Sequence, residues 1–179
     1  ETSPGLQQIA QQSVVFEEAW TPAPRTRPSF RSATTGRWPA AAVDAPTIGS
    51  VMRRNGFATG GFVANIQLAP HLGFADGFDH WSYDNMADGD VQVDRTLKWL
   101  NERAHEDAFV FLHLMDPHIF YNAPEPYKDR FTEASDQQGL KPKFNRWEIL
   151  RLRKKDKLSP EQERWIEGRY DGEIAFMDH

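Results

Sequence analysis

"DVQVDRTLKWLNERAHEDAFVFLHLM", residues 90–115, holds two elements back to back. In its first half Val93, Leu97, Leu100 and Ala104 fall at spacings of four, three and four, the period of an amphipathic helix over 90–104. Its second half, "AFVFLHLM" at 108–115, is an almost unbroken apolar run, as a strand buried on both faces would carry. A helix feeding such a strand is the pattern of a parallel sheet.

The pattern recurs upstream. Pro46 to Asn55 reads as a helix with Ile48, Val51 and Met52 on one side, and Gly56 stands where a left-handed residue ends a helix. "FATGGFVAN" at 57–65 then reads as a buried strand. Right-handed crossovers would set it beside the strand at 108–115. Before these, Ser3-Pro4 opens a helix to about Gln12, and Val14–Phe16 reads as a short strand. Residues 66–88 are read as irregular, apart from Asp88-Gly89-Asp90, which starts the next helix. Residues 117–131 form a loop rich in Pro and Tyr, 132–142 are polar, and a helix is expected over 143–157. Ser159-Pro160-Glu161-Gln162 is a capping box with Pro at its first helical position, and the helix it opens is expected to turn Trp165, Ile166, Tyr170, Ile174 and Met177 inward. The class is α/β with a mostly parallel sheet.

Bulk properties set limits. The 179 residues, 39% hydrophobic and 12% aromatic, suffice for one domain with a core. A net charge of −5 makes no global case for a nucleic-acid or membrane partner. No apolar run approaches the roughly 18 residues of a membrane span. With no cysteine, disulfides and thiolate metal sites are excluded. The chain starts on Glu1 and stops inside a helical pattern at His179, so it reads as an internal segment of a longer protein. Localisation stays open.

In an α/β sheet, ligands gather beyond the carboxyl ends of the strands. Thr26 and His118 each follow a predicted strand on that side. Thr26 lies in "PAPRTRPSFRSATTGRWP", residues 22–39, where Pro28 and Ser29 are expected to start a short helix ending near Gly36. A helix N-terminus offers free N–H groups and partial positive charge. The threonine hydroxyl reads either as a nucleophile beside a metal or as a plain N-cap among solvated arginines.

The stretch resembles the sulfatase family of the alkaline phosphatase superfamily. Ala23-Pro24, Pro28-Ser29 and Thr35-Gly36-Arg37 match the spacing of that family's nucleophile motif. "SPGLQQIAQQSVVFEEAW", "TIGSVMRRNGFATGGFVAN", "GFADGFDHW", "FLHLMDPHIFYNAPEPYKDRF" and "RYDGEIAFMDH" extend the likeness over nearly the whole chain. Residues 132–158 fall outside it and read as a family-variable insertion. The resemblance implies a partial alkaline-phosphatase-like α/β/α sandwich, residues 1–179, and a metal-dependent hydrolase of sulfate or phosphate esters. The substrate would be a small or polymeric ester, and the metal calcium, magnesium, manganese or zinc. Members are often periplasmic, secreted or membrane-tethered.

Two positions depart from the family pattern. Thr26 stands where sulfatases have the Cys or Ser that becomes formylglycine, and Phe30 stands at the motif's Arg. Threonine is itself the nucleophile in relatives that act on phosphoryl groups, so phosphoester hydrolysis or phosphoryl transfer is favoured. The resemblance makes Thr26 the nucleophile and a metal ligand through its oxygen, and gives His118 a contact with the ester. Arg27, flanking the nucleophile position, is a candidate oxyanion fork, Arg31 a candidate for the missing arginine by a one-residue shift, and His113 and Asn65 candidates for the rim. The remaining metal ligands are expected before residue 1 and after residue 179, so the isolated segment is expected to be inactive. A degenerate anion-binding protein without catalysis is the competing reading.

Three other features invite attention. "DNMADGD" at 84–90 fails as a calcium loop, because Met86 and Arg95 stand where oxygen ligands belong. Asp171 and Asp178 share a helix face but read as scaffold. Residues 141–157 hold eight Lys/Arg against two Asp/Glu, a local +6, and read as a solvated helix or a docking patch for an anionic partner.

Overall fold

The computed structural model describes residues 2–141, 146–154 and 158–179. Its helices are α1 (Pro4–Ala10), α2 (Thr26–Thr35), α3 (Ile48–Arg54), α4 (Gly89–Asn101), α5 (Arg146–Arg153) and α6 (Pro160–Asp178). Its strands are β1 (Ala58–Val63), β2 (His80–Tyr83) and β3 (Ala108–His113). They fall into two compact bodies, one of residues 17–115 and one of residues 1–16 with 116–179.

In the body 17–115 the sheet order is β2-β1-β3 and both pairings are parallel. Ala58 to Val63 align with Ala108 to His113, and Gly60 to Val63 with His80 to Tyr83. The two segments the sequence placed side by side are therefore neighbours. β1 is buried from Thr59 onward. Gly61 matters there, because a Cβ would sit 2.1 Å from the Trp81 ring. Val63, Leu68 and Phe74 form the core, with Phe30, Trp81 and Phe111 against it. Thr47 caps α3, accepting from the Ser50 N–H, and Gly56 takes φ +89° as expected.

Three expectations need correction, the first just outside this body and two within it. Val14–Phe16 with their surroundings form no strand: among the described residues nothing pairs with them, and Phe16 is 78% exposed. A strand does occur at His80–Tyr83, inside the stretch read as irregular; four residues of mixed polarity give no clear alternation. The third concerns α4, which buries Gln92, Thr96 and Trp99 and leaves Val93 and Leu97 exposed. The stripe has the predicted spacing but is offset by one residue. Trp99 decides the rotation: its ring closes on Gly60, meets Phe62 edge-on at 6.0 Å and stacks on His80. One indole buries more apolar surface than either aliphatic side chain.

The body 1–16 with 116–179 is organised by α6. Its capping box forms as read, with Ser159 accepting from the Gln162 N–H and Gln162 accepting from the Ser159 N–H. Its buried face is Trp165, Gly168, Arg169, Gly172, Glu173 and Ala175. Tyr170, expected inside, is 40% exposed. The reason is the neighbour: α6 packs against the backbone of the loop 116–132 rather than against apolar side chains. A Cβ on Gly168 would lie 2.2 Å from the Phe131 carbonyl oxygen, and one on Gly172 2.6 Å from that of Tyr127. At the far end the Asp178 carboxylate accepts from the Gly5 and Leu6 N–H groups at 2.7 Å each. That pins the N-terminus of α1 and gives Asp178 the scaffold role expected of it. α5 is shorter than the helix read over 143–157, and 142–145 and 155–157 of the basic run lie outside the described residues.

Candidate functional site

Thr26 is the first residue of α2, two residues earlier than the predicted start. The residue before it, Arg25, has extended backbone angles, and no side chain caps the helix. Thr26 is thus not the N-cap of the plain reading, and its half-buried hydroxyl makes no hydrogen bond among the described residues. The helix runs ten residues and closes on Gly36 at φ +66°. Its first turn holds no acidic residue. Arg25 and Arg27 are both exposed, and neither forms an ion pair among the described residues. Free N–H groups and two uncompensated guanidinium groups make this end of α2 electropositive. With no strand at 14–16, Thr26 owes its place to the helix start rather than to a strand end.

Phe30 explains its own departure from the family pattern. Its ring meets Phe111 edge-on at 5.9 Å and His113 at 5.2 Å, on the core of the sheet body. Arg31 donates through Nη2 to the Leu72 carbonyl at 2.8 Å and lies over the Phe74 ring at 4.8 Å. Asn65 uses its side-chain oxygen on the Gln67 N–H at 2.8 Å, capping a short 3₁₀ turn. Arg31 and, through Phe30, His113 thus make contacts that hold α2 in place, whereas Asn65 caps the turn that follows β1. On another flank of α2 lies a depression of about 670 Å³ lined by Trp20, Thr21, Ser29, Ser32, Arg37 and Trp38. Thr26 does not line it.

His118 belongs to the other body and is exposed. Its Nδ1 lies 2.7 Å from the Ile119 carbonyl oxygen. A carbonyl only accepts, so Nδ1 carries the proton. Nε2 of the neutral ring is then an acceptor, and becomes a donor when the ring is doubly protonated.

Sequence reasoning missed what holds this loop. Arg169 and Glu173, 1% and 3% exposed, reach it from α6. Arg169 donates from Nη2 and Nε to the Tyr121 carbonyl at 2.7 and 3.2 Å, and from Nη1 to Asp129 at 2.8 Å. Glu173 accepts from the Asn122 N–H. Burial, and then the Asp116 carboxyl beside it, push Glu173 up to about 7 against the opposing hydrogen bonds from Asn122 and Ala123. A signal was available: an arginine and a glutamate four apart, each directly after a glycine, at positions 168–169 and 172–173 of one helix.

Among the described residues no three His, Asp or Glu side chains come together as metal ligands. The described residues do not by themselves complete a divalent-metal site.

A sulfatase family model matches residues 1–179. The chain belongs to the sulfatase family. Two crystal structures of the C-terminal periplasmic domain of EcEptC from Escherichia coli share its fold. One, a complex with Zn, aligns with TM-score 0.66 at 18% identity, over 99% of this chain and 50% of that one. The other aligns with TM-score 0.65 at 20% identity, over 100% and 50%. The chain thus spans about half the length of these neighbours. No curated protein matches it in sequence. The alkaline-phosphatase-like α/β class expected of a sulfatase-family member is the class observed.

Proposed function

We propose that this sulfatase-family protein hydrolyses or transfers an oxyanion ester, phosphate in preference to sulfate, with Thr26 as the acceptor. The observation that carries this is the Thr26 hydroxyl at the head of α2, at the family's nucleophile position and not consumed as a cap. A secondary alcohol oxidises to a ketone, so Thr26 cannot become the aldehyde of the sulfate-cleaving members. It can attack phosphorus directly. The Thr26 oxygen bonds to phosphorus, the ester oxygen leaves, and the hydroxyl proton passes to solvent. Water or an acceptor alcohol then takes the phosphoryl group from Thr26. Arg27, with the amide groups of α2, would bind the non-bridging oxygens. His118, doubly protonated, would donate from Nε2 to the leaving oxygen. Arg31, Asn65 and His113 shape the rim.

A divalent metal is part of this reading, on the strength of the family and of the zinc complex of the EcEptC neighbour. Its identity is left to experiment. A second reading, an anion-binding protein without turnover, is favoured by one observation: Phe30 puts a core ring where the family has an arginine. The basic run at 141–157 remains a proposed docking surface.

The test is turnover by the full-length protein, loaded in turn with zinc, calcium, magnesium and manganese. An aryl phosphodiester, a phosphomonoester and a sulfate ester are assayed beside Thr26→Ala. Metal-dependent phosphoester cleavage, lost by at least about 1,000-fold in the variant, is the expected result. Sulfate cleavage that survives Thr26→Ala would refute the nucleophile, and no turnover at all would select the binding reading.

A further inference from the structure

The segment that presents His118 is gripped on both sides by one helix. Two residues before it, Asp116 lies beside Glu173 with its Oδ2 shut off from solvent. Three and four residues after it, the Tyr121 carbonyl and the Asn122 N–H are held by Arg169 and Glu173. His118 itself stays exposed between these anchors. Nothing in such a scaffold requires buried charge; apolar side chains would hold a loop at lower desolvation cost. A guanidinium fork and a carboxylate do what apolar packing does not, and fix backbone groups in register.

We infer that Arg169 and Glu173 are positioning residues for His118. The inference rests on the ester role proposed for His118. In the seated state Glu173 accepts from the Asn122 N–H while Arg169 holds the Tyr121 carbonyl. Ionisation of Glu173 sets a buried negative charge beside Asp116 and weakens the hold on the loop. The groups facing Glu173 are few. From the loop come Asp116 and Tyr121, whose phenol burial holds above its ordinary range, followed by the influence of Tyr170 and of Glu173 itself. From α6 come Arg169, already engaged by Asp129, and Tyr170, whose ring lies 5.2 Å from that of Tyr121.

The experiment uses the full-length protein and the aryl phosphodiester. Glu173→Ala, Glu173→Gln and Arg169→Lys are made alone and on a His118→Ala background. Glu173→Ala should lower kcat about 10- to 100-fold with KM changed less than about 3-fold, the signature of a displaced reacting group. Glu173→Gln, which keeps an acceptor oxygen, should recover most of kcat and erase an inflection near neutral pH. On the His118→Ala background Glu173→Ala should cost less than about 2-fold, because its route is already gone. Fully multiplicative losses would overturn the inference. If His118→Ala is silent while Thr26→Ala is dead, the role of His118 falls and this inference with it, but the nucleophile stands. One readout needs no turnover. The hydrogen-exchange protection of the Asn122 amide should drop about 10-fold from pH 6 to pH 8 in the parent and hold in Glu173→Gln. The same pH dependence in both would also overturn the inference.

Discussion

Two glycines in each body are packed so tightly that an added Cβ would clash, and the two pairs meet different partners. In residues 17–115, Gly49 and Gly61 make room for aromatic rings: added Cβ atoms would meet Phe78 at 2.4 Å and Trp81 at 2.1 Å. In the α6 body, Gly168 and Gly172 make room for backbone, the carbonyls of Phe131 and Tyr127. A ring can swing aside; a carbonyl fixed in a loop cannot. The first body is therefore held by shape and apolar burial, and the second by polar groups meeting at defined atoms. A loop bearing a candidate substrate-contacting histidine sits in the second kind of packing.

The largest test of that contrast is a matched pair of substitutions. Gly168→Ala should cost about 3 kcal/mol or more despite alanine's better helix propensity, and Gly61→Ala about 1–2 kcal/mol as Trp81 repacks. Urea unfolding of each variant measures both, and the reverse ranking would mean that the loop does not rest on α6. Next comes pH. Glu173 titrates at about 7 in the folded protein against 4.5 for an ordinary glutamate. The folded pKa is raised, so its contribution is full below pH 4.5 and is lost as pH rises through 7. Stability should fall by on the order of 2 kcal/mol between pH 5 and pH 8, and Glu173→Gln should remove that slope. Chemical unfolding at several pH values checks this, and an equal slope in both proteins would place the titration elsewhere. The smallest effect is Asp178→Ala, about 1 kcal/mol, from a lost cap on the Gly5 and Leu6 amides. Hydrogen exchange should show it confined to α1 and the end of α6; a global loss would show that the cap supports more than α1.

The same contrast explains what the sequence let one read. β1, β3 and the crossover helix between them were legible because apolar burial writes a period into the chain. The caps of α6 and the left-handed Gly56 were legible because turn chemistry is local. The inner face of α4 was misread by one residue, since Trp99 outweighs the aliphatic stripe only once Gly60 lies beneath it. The inner face of α6 was misread for a deeper reason. Its partners include backbone groups 48 and 51 residues away, and no hydropathy period records a carbonyl. At the candidate site, the motif spacing located Thr26, but a strand before it was expected and the helix start stands in its place. The engagement of Arg31 with Leu72 could not be read, because it depends on a turn 41 residues downstream.

The bond from Asp178 to Gly5 spans 173 residues, and it sets an order of events during synthesis. α1 is made long before Asp178, yet seven residues are too few to hold a helix in water. It must wait, unfolded, until Asp178 has been made. The uninterrupted stretch 17–115 is free to close on itself in the meantime, at the ordinary pace of a domain emerging in sequence. Of these two bodies, the one that carries His118 is thus the later to settle, because α1 and Asp178 stand at its two ends in sequence.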